Sequence, residues 1–158
     1  MKHKSLLTLL LALSYQTSFS QNLTEENPSV FGLTIGQKSI ALPCGNENKN
    51  PICEKELIDQ YNTYALEFKD GIKPTYIKKL SVSKNKDETI DTIWINTYGK
   101  KDQALMFDKL VDYFGKPTSL SSTENSSIYA YWENKSIRVI FLGSYTDQDN
   151  GVIVMARN

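Results

Sequence analysis

The chain has 158 residues, 40% of them hydrophobic and 23% charged, a composition that suits one ordinary globular domain. Its 18 Lys+Arg against 18 Asp+Glu disfavour nucleic-acid binding, whose affinity comes from neutralising phosphates and so demands a basic excess. The single histidine is His3, inside a removable leader, so the working protein lacks imidazole for nucleophile activation, metal ligation or pH switching.

Residues 1–20 read as a secretory signal peptide. Lys2, His3 and Lys4 form a basic start, Leu6 to Leu13 is apolar except for Thr8, and Ser18 and Ser20 supply the small residues a signal peptidase requires. Cleavage after Ser20 removes two lysines and leaves a slightly acidic mature chain. The leader's apolar stretch is too short to span a bilayer, and no later run reaches the length of a spanning helix. No cysteine lies near the cleavage site for lipid attachment. The expectation is a periplasmic or secreted protein without a membrane anchor.

Residues 21–29 are polar and predict a flexible lead-in, with a single α+β domain over 30–158. Val30 to Ile35 and Ser39 to Leu42, broken by Gly36, predict two short strands or one bent strand before Pro43. Cys44 and Cys53, the only cysteines, predict a disulfide in an oxidising compartment; a ten-residue closed loop contributes about 2.7 kcal/mol through chain entropy. Glu54 to Tyr61 suggests a short helix, while Tyr64 to Lys69 alternates as a strand does. Tyr76 to Val82 and Thr89 to Tyr98 read as a hairpin, with Ile93 and Ile95 facing one way and Trp94 the other.

The clearest helix runs from about Lys101 to Phe114, where Ala104, Phe107, Leu110, Val111 and Phe114 form an apolar stripe; Gly115 and Pro117 stop it. Ser and Thr dominate 118–127. Ile128 to Trp132 and Ile137 to Leu142 then flank Glu133 to Ser136, a tight turn in which Asn134 can adopt positive φ. Val152 to Ala156 follows Asp147 to Gly151 as a last strand. The fold class is α+β: an antiparallel sheet of about five or six strands with one main helix, about 101–114, packed on one face.

Three motifs resemble chemistry without completing it. Ser81-Val-Ser-Lys84 matches a serine–lysine nucleophile pattern but falls on a strand end without its companion motifs. Gly115-Lys-Pro-Thr118 lacks the first glycine of a phosphate loop, because Leu110 stands there. Asp147 to Gly151 lacks the spacing of a calcium loop and reads as a turn. No cofactor or metal is expected. A histidine-free enzyme would use two carboxylates, roughly 5 to 9 Å apart; Glu54, Glu56, Asp59 and Glu67 are the acids available. Tyr129 and Tyr131 alternate with Trp132, so a buried Trp132 turns both tyrosines outward. With Trp94 they are the candidate partner-binding residues, since aromatics offer large contact area at low entropic cost.

Phe31 to Gly36, Leu42-Pro-Cys44, Cys53, Tyr113 to Thr118, Trp132 and Val139 to Gly143 together resemble landmarks of small secreted proteins of Gram-negative bacteria, in the same order over most of the mature chain. That resemblance implies a periplasmic α+β domain and assigns no activity. The helix ending in Gly115-Lys-Pro is also similar to helix ends in BamE-like and β-lactamase-inhibitor-like envelope modules, which bind other proteins. The functional expectation is a non-catalytic periplasmic protein-binding module, such as an inhibitor or immunity protein against a cell-wall-directed enzyme or toxin. The alternatives are a small carboxylate-dependent hydrolase or lyase acting on envelope polysaccharide, and an accessory subunit of an envelope assembly machine.

Overall fold

The computed structural model describes residues 29–39, 41, 43–45, 51–60, 62–69, 73–122, 127–144 and 151–158. The leader, residues 21–28 of the lead-in and most of the Asp147–Gly151 turn lie outside the described residues.

A short hairpin of β1 (Ser29–Val30) and β2 (Leu33–Thr34) precedes the main sheet. That sheet has eight strands: β3 (Ile52–Leu57), β4 (Thr63–Phe68), β5 (Ile77–Lys84), β6 (Ile90–Thr97), β7 (Ser119–Ser122), β8 (Ser127–Glu133), β9 (Ile137–Ser144) and β10 (Val152–Arg157). Their spatial order is β3-β4-β5-β6-β10-β9-β8-β7, antiparallel at every neighbouring pair. The α+β class holds, with eight strands in place of the five or six expected. Two of the additions have plain causes. The Glu54–Tyr61 helix does not form, because Ile52–Leu57 pairs with β4 as an edge strand; and the Ser/Thr-rich segment contributes β7, paired only with β8.

The sheet is two four-stranded meanders joined at β6 and β10. Between β6 and β7 the chain passes through helix α1 (Lys100–Phe114), which carries it from the centre of the sheet to its far edge. Fifteen helical residues span about 22 Å, close to the roughly 19 Å covered by four strand spacings. The helix is therefore long enough to cross the second meander once.

Period-two alternation then decides which side chains the helix covers. On the covered face Leu80, Ile95, Ile153, Phe141 and Ala130 stand opposite one another across five strands, with Val82, Ile93, Met155, Val139 and Trp132 in the next row. All are buried. The helix contributes Gln103, Met106, Leu110 and Phe114, rotated from the expected stripe: Phe107 and Val111 flank it half-buried and Ala104 is exposed. Gln103 fits there because Gly143 and Gly151 provide no side chain. A Cβ on Gly151 would meet Thr97 Oγ1 at 2.6 Å and Gln103 Cγ at 2.8 Å.

The β8–β9 turn is tight, but Asn134 is not among the described residues with positive φ. Its side chain makes the turn instead, Oδ1 accepting the backbone N–H groups of Ser136 and Ile137, each at 2.8 Å.

Candidate binding face

The opposite face of the sheet carries no helix among the described residues. Cross-strand register places Trp94 opposite Val154, Val154 opposite Ile140, and Ile140 opposite Tyr131. In the adjoining row Asn96, Val152, Leu142 and Tyr129 follow one another in the same way. Trp94 and Tyr131 are half-buried, while Tyr129 is 37% and Leu142 46% exposed. The three aromatic residues singled out from the sequence thus share one solvent-facing surface, Trp94 at its centre and the tyrosines toward one edge. The cause is Trp132. It is 1% exposed, and its indole N–H donates to the Gly115 carbonyl at 2.8 Å on the helix side, which turns its strand neighbours outward.

Charge surrounds the tyrosines. Glu133 stands opposite Arg138 on the same face. Partial desolvation, then the hydrogen bond and negative charge of Glu133, push the Tyr131 hydroxyl above its ordinary pKa of 10.0. Tyr131 is a neutral donor at physiological pH.

On the other side of Trp94 the surface is hollow. Ser81 stands directly opposite Trp94, and Ala65 opposite Ser81; Thr63, Ser83 and Thr92 form the next row, Lys79 and Asn96 the row on the other side. Small side chains beside a large indole leave a trough of about 470 Å³, lined by Trp94, Asn96, Ser81, Ser83, Thr63 and Lys79, with Ile58, Asp59 and Val152 at its rim. The Thr63 backbone N–H donates to Asp59 Oδ1 at 3.3 Å, which places Asp59 at the end away from Lys79. Of these polar residues the sequence points to Ser81 and Asp59 alone, each for a catalytic pattern, and to none of them as part of a shared surface. Only the register of three strands brings them together, and none is unusual alone.

Cys44 and Cys53 form the expected disulfide, which fastens the chain before the sheet to its first strand. Pro43 bridges Glu54, and the Cys44 N–H donates to the Glu54 carbonyl at 3.0 Å.

Ser81 and Lys84 lie on opposite faces, so the serine–lysine pattern makes no nucleophile. Ser81 borders the trough, whereas Lys84 stands opposite Ile90 on the covered side, beyond an irregularity in the register. Lys84 Nζ lies 2.9 Å from Glu54 Oε1, also binds Glu88, and sits 4.2 Å from the Tyr64 ring centroid. Burial alone would lower its pKa; hydrogen bonds and charge from Glu88 and Glu54 outweigh that and hold it above 10.5. Of the four candidate acids, Glu54 is thus committed to Lys84, and Glu67 lies 3.8 Å from Lys55. Among the described residues no three His, Cys, Asp or Glu side chains form a group that could hold a metal ion, and no helix is long and apolar enough to cross a membrane.

No family model matches the sequence, and no curated protein matches it. Among solved structures the chain is similar to a DUF4309 family protein, YjgB, from Bacillus subtilis, at 15% identity and a TM-score of 0.42, covering 84% of this chain and 88% of that one.

Proposed function

We propose that this chain is a non-catalytic protein-binding module of the periplasm or cell exterior, of the kind that acts as an inhibitor or immunity protein against a cell-wall-directed enzyme or toxin. The observation that carries this reading is the solvent-facing row Trp94–Val154–Ile140–Tyr131 with Leu142 and Tyr129 beside it. A contiguous apolar and aromatic patch on a sheet face costs solubility unless something covers it in use, and tyrosine and tryptophan are the residues that anchor protein interfaces. The Cys44–Cys53 disulfide supports a compartment that preserves such bonds. A carboxylate-dependent enzyme is less well supported, since two of its four candidate acids engage lysines.

The test is capture from envelope extract by the purified protein and by a variant carrying Trp94→Ser, Tyr129→Ser and Tyr131→Ser, the fold of both checked by circular dichroism and unfolding midpoint. A protein retained by the wild type and lost by the folded variant is the expected result. Retention of nothing, together with release of sugar from peptidoglycan by the wild type, would replace this reading with the enzymatic one.

A further inference from the structure

The trough beside Trp94 differs in chemistry from the aromatic patch on β8 and β9. One flank is a half-buried indole, and hydroxyls, an amide, a carboxylate and an ammonium converge around it: Ser81, Ser83, Asn96, Asp59 and Lys79. Its volume of about 470 Å³ lies within the usual range for small-ligand sites, ~300–1,000 Å³. A flat aromatic ring beside mixed donors and acceptors suits a pyranose. The sugar presents an apolar C–H face to the ring, and its rim of hydroxyls both donates and accepts. A peptide gains less here, because the trough lies on the face of the sheet, where no unpaired backbone edge is offered.

Charge indicates which glycan. Lys79 stands at one end of the trough, and beyond it a second hollow of about 290 Å³ is bordered by Lys55, Lys73 and Lys78 as well as Lys79, against Glu56 and Glu67. Lys55 is drawn toward Glu67 at 3.8 Å, and Lys73 donates to the Lys78 carbonyl at 3.0 Å. Among the described residues, four ammonium groups against two carboxylates nevertheless leave this end positive, although the chain as a whole is balanced. That field favours an anion leaving the trough on the Lys79 side.

We propose that the trough binds an anionic glycan, one pyranose ring stacking on Trp94 while a carboxylate or phosphate substituent lies toward Lys79. Binding is non-covalent and does not require Tyr129 or Tyr131; because Trp94 belongs to both surfaces, a protein covering the whole aromatic row would compete with the glycan for it.

The test uses calorimetric titration of the purified protein with four probes: an oligogalacturonide, a phosphomannan fragment, a neutral chitooligosaccharide and poly-glutamate. Trp132 is 1% exposed, so a change in tryptophan fluorescence locates the event at Trp94. Saturable binding of the oligogalacturonide or the phosphomannan is expected, and which of them binds identifies the anion. Trp94→Ala should weaken it about tenfold or more. Lys79→Glu and added salt should weaken it further, because the lysines are exposed and screened. Tyr129→Ser with Tyr131→Ser should leave it unchanged. Equal binding of poly-glutamate, binding that survives Trp94→Ala, or no binding of either anionic glycan at millimolar concentration would overturn the proposal. So would a protein partner that needs Trp94 and Lys79 while no glycan binds, which would assign the trough to that partner.

Discussion

The indole N–H of Trp132 donates to the carbonyl of Gly115 at 2.8 Å, so the strand that presents Tyr129 and Tyr131 to solvent is fastened through its buried side to the end of helix α1. Phe107 and Phe114 pack their rings against the same indole, at centroid distances of 6.1 and 6.3 Å. Replacing Trp132 with Phe keeps an aromatic ring but leaves the buried Gly115 carbonyl without that donor and opens a void. The expected loss of stability is about 2–4 kcal/mol, read as a lower denaturant midpoint with an unchanged slope.

Lys84 is half of a buried ion pair, and the two ways of removing the pair should differ. Lys84→Met strands Glu54, whose side chain is 10% exposed, and should cost about 3 kcal/mol or more. Lys84→Met combined with Glu54→Leu removes both charges and should recover most of that loss. Equal stability of the single and double variants would contradict the buried pairing.

The same lysine sets an alkaline limit. Its folded pKa is raised above 10.5, so the folded state holds the proton more tightly than the unfolded chain. The contribution is complete below pH 10.5 and is lost as pH rises through the higher folded value. Tyr131, raised above 10.0, acts in the same direction. Unfolding midpoints measured from pH 9 upward should fall for the wild type, and less steeply once Lys84 and Glu54 are both replaced.

Gly151→Ala should destabilise by about 1–3 kcal/mol, because the new Cβ would press on buried Thr97 and Gln103. Gly45→Ala, which meets nothing within 4 Å, should change stability by less than about 0.5 kcal/mol. Reduction of Cys44–Cys53 should lower stability by about 2.7 kcal/mol or somewhat less on the chain-entropy estimate, measured by unfolding with and without reductant.

The elements legible in the sequence are those whose patterns are local. Ile93, Trp94 and Ile95 alternate cleanly because β6 has neighbours on both edges and a buried face. The Cys44–Cys53 pairing follows from there being no other cysteine. Strand β3 was illegible because it is an edge: Glu54 to Leu57 is only partly covered or exposed, so its residues carry no burial pattern and read equally well as a helix. Strand β7 has four exposed residues and owes its conformation to pairing with β8, not to Ser119 or Ser121. The helix stripe is rotated toward Met106 and Gln103 because two glycines far along the chain leave room for a glutamine, a long-range fact that periodicity does not hold. The outward turn of Tyr129 and Tyr131 was readable from Trp132 alone. The trough was not, since it depends on Ala65, Ser81 and Trp94 arriving side by side from three strands.

The central claim is that the partner meets the sheet face opposite the helix. Site-specific photocrosslinking in the producing cell tests it most directly, with the crosslinking residue placed at Tyr129 on that face or at Tyr113 on the helix, which is 63% exposed. A discrete adduct from position 129 and none from 113 is the predicted result. An adduct from position 113 with none from 129 would contradict it.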